Sequence, residues 1–135
     1  MNTIRNIIVF LIGLFLGGML NMLIISYGGS IIPPPENVDP NDIESIKENM
    51  HLYTPLHFLV PFIAHAVGTL FGAFIVAFLA ASYRMYLSLA IGAFFLLGGV
   101  TMVMMLPSPL WFNILDLGLA YMPMAWLGWK LTGKD

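Results

Sequence analysis

The sequence predicts an all-α integral membrane protein: four transmembrane helices in an up-down antiparallel bundle, with a short amphipathic helix in the external loop between the first two. Three observations predict it. Four apolar runs of about 20 residues, the length that crosses the hydrocarbon core, divide the chain. Only 9% of residues are charged and 59% are hydrophobic, with a mean hydropathy of +0.89, against about 25% charged residues in an ordinary soluble domain. Finally, the second, third and fourth runs are joined by connections of only a few residues, which makes them antiparallel neighbours. At 135 residues, the chain forms one domain over 1–135.

The first helix is expected over 7–26, "IIVFLIGLFLGGMLNMLIIS". Its apolar core is too long for a secretory signal and no small-x-small cleavage site follows, so it reads as a retained helix. Gly28 and Gly29 are expected to end it, and Pro33 to Pro35 impose a stiff extended segment. In the loop 27–55, Asp39 and Pro40 read as an N-cap followed by proline at the first helical position. That predicts a helix over about 40–51, whose Ile43, Ile46 and Met50 make one face apolar, suited to the membrane surface or to capping the bundle. The remaining spans are expected over 56–81, 85–106 and 110–129. Tyr27, Tyr83, Tyr86, Trp111, Trp126 and Trp129 fall near span ends, where amphipathic rings prefer to sit.

Charge sets the orientation. Arg5, Arg84, Lys130 and Lys134 flank the spans on one side, whereas the loop 27–55 has Lys47 against Glu36, Asp39, Asp42, Glu44 and Glu48. Both termini are therefore expected in the cytoplasm and the acidic loop outside it, consistent with a bacterial inner membrane and a periplasmic loop. The net charge of −2 leaves no basic footprint for nucleic acid. The absence of cysteine excludes disulfides, iron–sulfur clusters and thiol catalysis.

The polar residues inside the spans carry the functional reading. Asn21, His65, Thr101, Asn113 and Asp116 each share a helical face with small residues, which mark close helix approach. With His57 at the outer end of the second span, they define an outward-facing polar pocket. Asp116 is the only acid within a span, and His65, at similar depth on a facing helix, is its natural partner. The pair could serve only to lock helix register. But interhelical hydrogen bonds in membranes average roughly 0.6 kcal/mol, while inserting an acid costs about 2.5–3.5 kcal/mol. That imbalance favours a working site. Pro61 denies the second helix one hydrogen bond beside this pocket, freeing the His57 carbonyl.

Three classes of function follow. The first is a site for a metal ion or a small, lipid-like molecule, in the form of a binding protein or a small membrane enzyme. His57, His65 and Asp116, joined by His51 and Glu48 of the loop helix, offer nitrogen and oxygen ligands suited to Zn, Fe or Mn. Imidazole and carboxylate equally suit acid–base work on a lipid headgroup or quinone. The second is a non-catalytic subunit or assembly factor, packing as a homo-oligomer or against a partner membrane protein through Gly13-x-x-x-Gly17 and Gly68-x-x-x-Gly72. The third, transport, is the weakest, because the spans are polar in one leaflet only. Haem ligation within one chain is disfavoured: His57 and His65 sit about 80° apart around one helix. Met102, Met104, Met105, Met122 and Met124 read as gap fillers before copper ligands.

Overall fold

The computed structural model describes residues 1–135 and contains helices and no strands. Helix α1 covers Asn2–Ile31, α2 Ile43–Glu48, α3 Pro55–Leu79, α4 Arg84–Met105, α5 Leu110–Leu119 and α6 Met122–Leu131, with a 3-10 turn at Met50–Leu52. Helices α1, α3 and α4, and α5 with α6 taken together, are long and apolar enough to cross a membrane. Their outer faces carry large exposed side chains such as Ile8, Leu11, Phe15, Phe94 and Leu97, which lipid covers without cost and water does not. The chain is an integral membrane protein.

Helix α3 is the centre, with α1 on one side and α4 and α6 on the other. Its buried residues are mostly small: Ala64, Gly68, Gly72, Ala73 and Ala77. Small residues let backbones approach, and without a hydrophobic driving force in lipid that close contact supplies the attraction. The α1–α3 crossing shows it best. A Cβ on Gly17 would lie 2.7 Å from the Gly68 carbonyl, and one on Gly72 would lie 2.7 Å from the Gly13 carbonyl. The four glycines of the two G-x-x-x-G motifs therefore pack on each other within one chain. Further along, Gly28 meets Val60. Gly28 and Gly29 do not stop α1, which runs on to Ile31, because Gly28 is used for packing and the helix simply outruns its apolar core.

The end of the bundle holding the termini is fastened by polar side chains. The last carbonyls of a helix lack intrahelical partners. Here Lys134 Nζ donates to the Phe78 carbonyl at 3.1 Å, Arg5 Nε to that of Leu79 at 2.9 Å, and Arg84 Nε to that of Ala80 at 3.0 Å. Three cations from three parts of the chain thus close α3 at its negative dipole end. Buried Asn6 donates to Ser82 Oγ and accepts from the Ala81 N–H, both at 3.0 Å. At this end α1 and α4 leave a groove past Asn6 and Ser82, whose polar groups already satisfy each other.

Two expectations are corrected. The loop helix is shorter than 40–51. Asp39 Oδ1 accepts from the Asn41 N–H in a local turn, and Asp42, accepting from the Glu44 N–H, caps α2 instead. No α2 residue is buried and α2 packs against no transmembrane helix, so it does not cap the bundle. The fourth span is also not one helix. It breaks between Leu119 and Met122, two residues before Pro123, whose missing N–H and bulky ring end the helical ladder there.

Candidate functional site

His65 is held on α3 among small buried neighbours, Ala64, Ala66 and Gly68, so its ring stands clear of its own helix. Its Nδ1 lies 2.8 Å from Asp116 Oδ1 of α5. The second carboxylate oxygen accepts from Tyr121 Oη at 3.2 Å. The Tyr121 ring stacks on the imidazole, with centroids 5.6 Å apart at 26°. Asp116 and Tyr121 are each 3% exposed, whereas His65 is half-buried. Hydrogen bonds to a charged group contribute about 1.5–3 kcal/mol each. Between membrane helices such bonds average only roughly 0.6 kcal/mol, so two of them leave most of the insertion cost of about 2.5–3.5 kcal/mol for the acid unmatched.

The break in the fourth span makes this triad. On a continuous helix, a residue five positions after Asp116 would sit about 140° around the axis and point away. The irregular backbone at Tyr121 (φ −114, ψ −78) lets the phenol return to the carboxylate. A hydroxyl can donate only to an acceptor, so Tyr121 fixes Asp116 as the acceptor on that side. Asp116 in turn engages His65 Nδ1 and leaves Nε2 without any partner in the protein. With the proton on Nδ1, Nε2 presents a lone pair.

His65 faces a cleft of about 320 Å³ bounded by α1, α3, α4 and Tyr121. Asn21, Thr69, Phe95 and Met102 line it alongside five glycines. Thr69 is 1% exposed and its hydroxyl has no hydrogen-bond partner; Asn21 Oδ1 is likewise buried and unpartnered. Buried polar groups are nearly always satisfied, and an orphan needs an explanation. Asn113 Oδ1 and Trp129 Nε1, outside the cleft, are the other two buried side-chain atoms without a partner.

Of the six residues expected in the pocket, Asn21 and His65 line the cleft and Asp116 stands directly behind His65. The other three are elsewhere. His57 Nδ1 accepts from the Thr54 N–H at 2.9 Å, closing a capping box at the start of α3; it does the work usually given to Glu or Gln. Thr101 is exposed and donates to the Leu97 carbonyl of its own helix at 2.8 Å. Asn113 Nδ2 donates to the Ser108 carbonyl at 3.3 Å, tying down the turn before α5.

The five residues expected as metal ligands do not come together in this structure. No group of three His, Asp or Glu side chains comes together in a way that could hold an ion. His51 lies in the 3-10 turn and Glu48 ends α2, neither of which reaches the His65 cleft. His57 Nδ1 serves the α3 cap and Asp116 makes two hydrogen bonds, and His57, His65, Asp116, His51 and Glu48, the set expected for Zn, Fe or Mn, are not grouped here. Sequence reasoning missed Thr69 and Tyr121. Thr69 could have been found, being four residues after His65 on the same helical face; Tyr121 could not, without the helix break.

No family model, curated protein or solved structure matches this chain.

Proposed function

We propose that the protein is a four-span, up-down membrane bundle whose loop-end cleft binds a small, lipid-like molecule through His65. In this reading both termini lie in the cytoplasm of a bacterial inner membrane. The 32–54 segment lies on the other side, its short α2 resting on the membrane surface. One observation carries the functional part: an imidazole whose Nδ1 is held by a buried carboxylate and whose Nε2 is unpartnered in a cleft. That arrangement orients a ring nitrogen toward a guest, as an acceptor or as a proton relay.

Mass spectrometry of small molecules retained by the purified protein tests it. The wild type should hold a species that His65→Phe loses. Equal small-molecule content in both proteins would refute the reading. The alternative, a subunit docking on a partner through its glycine motifs, lacks a comparable observation, since those motifs face each other within the chain. Transport lacks one too, because at the terminal end Asn6 is tied to Ser82, and Arg5, Arg84 and Lys134 to the last carbonyls of α3.

A further inference from the structure

We propose that the guest of the His65 cleft enters sideways from the bilayer and carries a neutral hydroxyl head. This rests on the reading of the cleft as a binding site and names both the route and the chemical class.

The route follows from two glycines. Gly18 of α1 and Gly98 of α4 both line the cleft, and a Cβ built on either meets nothing within 4 Å. Other glycines of the same lining are there for packing: a Cβ on Gly17 would strike the Gly68 carbonyl, and one on Gly99 would strike the Tyr121 ring. Gly18 and Gly98 therefore have no packing role. They keep open the gap between α1 and α4, two helices that touch each other far less than each touches α3. Both sit well inside helices that cross the membrane, so the gap faces acyl chains.

The head follows from the lining. No Lys, Arg, Asp or Glu lines the cleft, and the nearest charge belongs to Asp116, both of whose oxygens are engaged. With His65 in its neutral Nδ1–H form, a carboxylate or phosphate would find no cation and would sit near a buried acid; an ammonium would find no free carboxylate. Burying either unpaired is costly. What the lining offers is a ring nitrogen without a partner on His65, an amide on Asn21 and an unpartnered hydroxyl on Thr69. A hydroxyl can donate to His65 Nε2 and accept from the Thr69 hydroxyl at once. Phe95 and Met102 suit the apolar body behind it.

The test uses the full chain in lipid nanodiscs and three photoreactive probes sharing one hexadecyl chain with a mid-chain diazirine. One ends in an alcohol, one in a methyl ether and one in a carboxylate. The alcohol should label the peptide holding Phe95 and Met102 about fivefold more than either other probe, the loss expected for one missing hydrogen bond. His65→Phe should bring alcohol labelling down to the ether level. Gly98→Leu and Gly18→Leu, which fill open space, should abolish labelling while circular dichroism and thermal unfolding stay at wild-type values. Equal or stronger labelling by the ether or carboxylate overturns the head assignment. Undiminished labelling in either folded leucine variant overturns lateral entry, with the cleft itself still supported if His65→Phe has lost the signal. Full labelling of His65→Phe instead removes the binding site on which both depend.

Discussion

Replacing Gly72 by alanine should destabilise the bundle, whereas the same change at Gly18 should not. A Cβ on Gly72 would stand 2.7 Å from the Gly13 carbonyl, about 0.7 Å short of ordinary contact at 3.4 Å. The obstacle is backbone, so no rotamer change relieves it, and α1 must back away from α3 along the whole crossing. Overpacking of this kind costs about 1–3 kcal/mol. Alanine's better helix propensity returns up to about 1 kcal/mol, a gain shared by any Gly→Ala change within a helix. At Gly18 the new methyl meets nothing within 4 Å, so only the propensity gain of up to about 1 kcal/mol remains. Gly72→Ala should therefore be the less stable of the two by about 1–3 kcal/mol. Reversible unfolding in bicelles, followed by circular dichroism against a rising fraction of sodium dodecyl sulfate, reads the difference. If Gly72→Ala proves as stable as Gly18→Ala, the α1–α3 crossing is not the close glycine contact described above.

Other consequences follow from particular contacts. His57→Gln should leave stability within about 0.5 kcal/mol of wild type, because glutamine completes the same capping box with Thr54, and it should not change binding at the cleft; a drop in either would return His57 to the site. A double-mutant cycle of Asp116→Asn and Tyr121→Phe should show a coupling of about 0.5–3 kcal/mol in the same unfolding assay, and additivity would disprove their hydrogen bond. Asn6→Ala should cost about 1–3 kcal/mol by stranding the Ala81 N–H that Asn6 accepts from, with faster amide exchange at Ala81 as the local sign. Tyr53 packs edge-on against His57, and burial raises its phenol above the ordinary 10.0. The neutral phenol therefore supports the fold fully below pH 10, and that contribution fades as pH climbs through the raised value. Alkaline unfolding of Tyr53→Phe, which has no phenol to ionise, should lack this component.

Much of this architecture is written in the sequence, and the reason is lipid. A hydrocarbon solvent demands long apolar runs, so four spans are legible from length alone. It also makes buried polar residues so costly that Asp116 singles itself out, and depth along the helices then points to His65. What escaped was set by backbone detail. Hydropathy reads how far a run is apolar and not how far it is helical, so α1 was expected at 7–26 when it spans Asn2–Ile31. Pro123 was visible, but not that the helix would part at Tyr121 and swing the phenol onto Asp116. Asp39 and Asp42 are equally good caps by residue type, and only the fold of the loop selects Asp42. His57 and Thr101 share the polar character of the pocket residues, but local hydrogen bonds to Thr54 and Leu97 claim them first.

The most direct test of the account is nitrogen-15 magnetic resonance of the His65 ring in lipid bilayers. The ring should carry its proton on Nδ1, show a bare Nε2 whose resonance moves when an alcohol is added, and lose the Nδ1 preference in Asp116→Asn. A proton on Nε2 with Nδ1 bare, indifferent to Asp116→Asn, would contradict it.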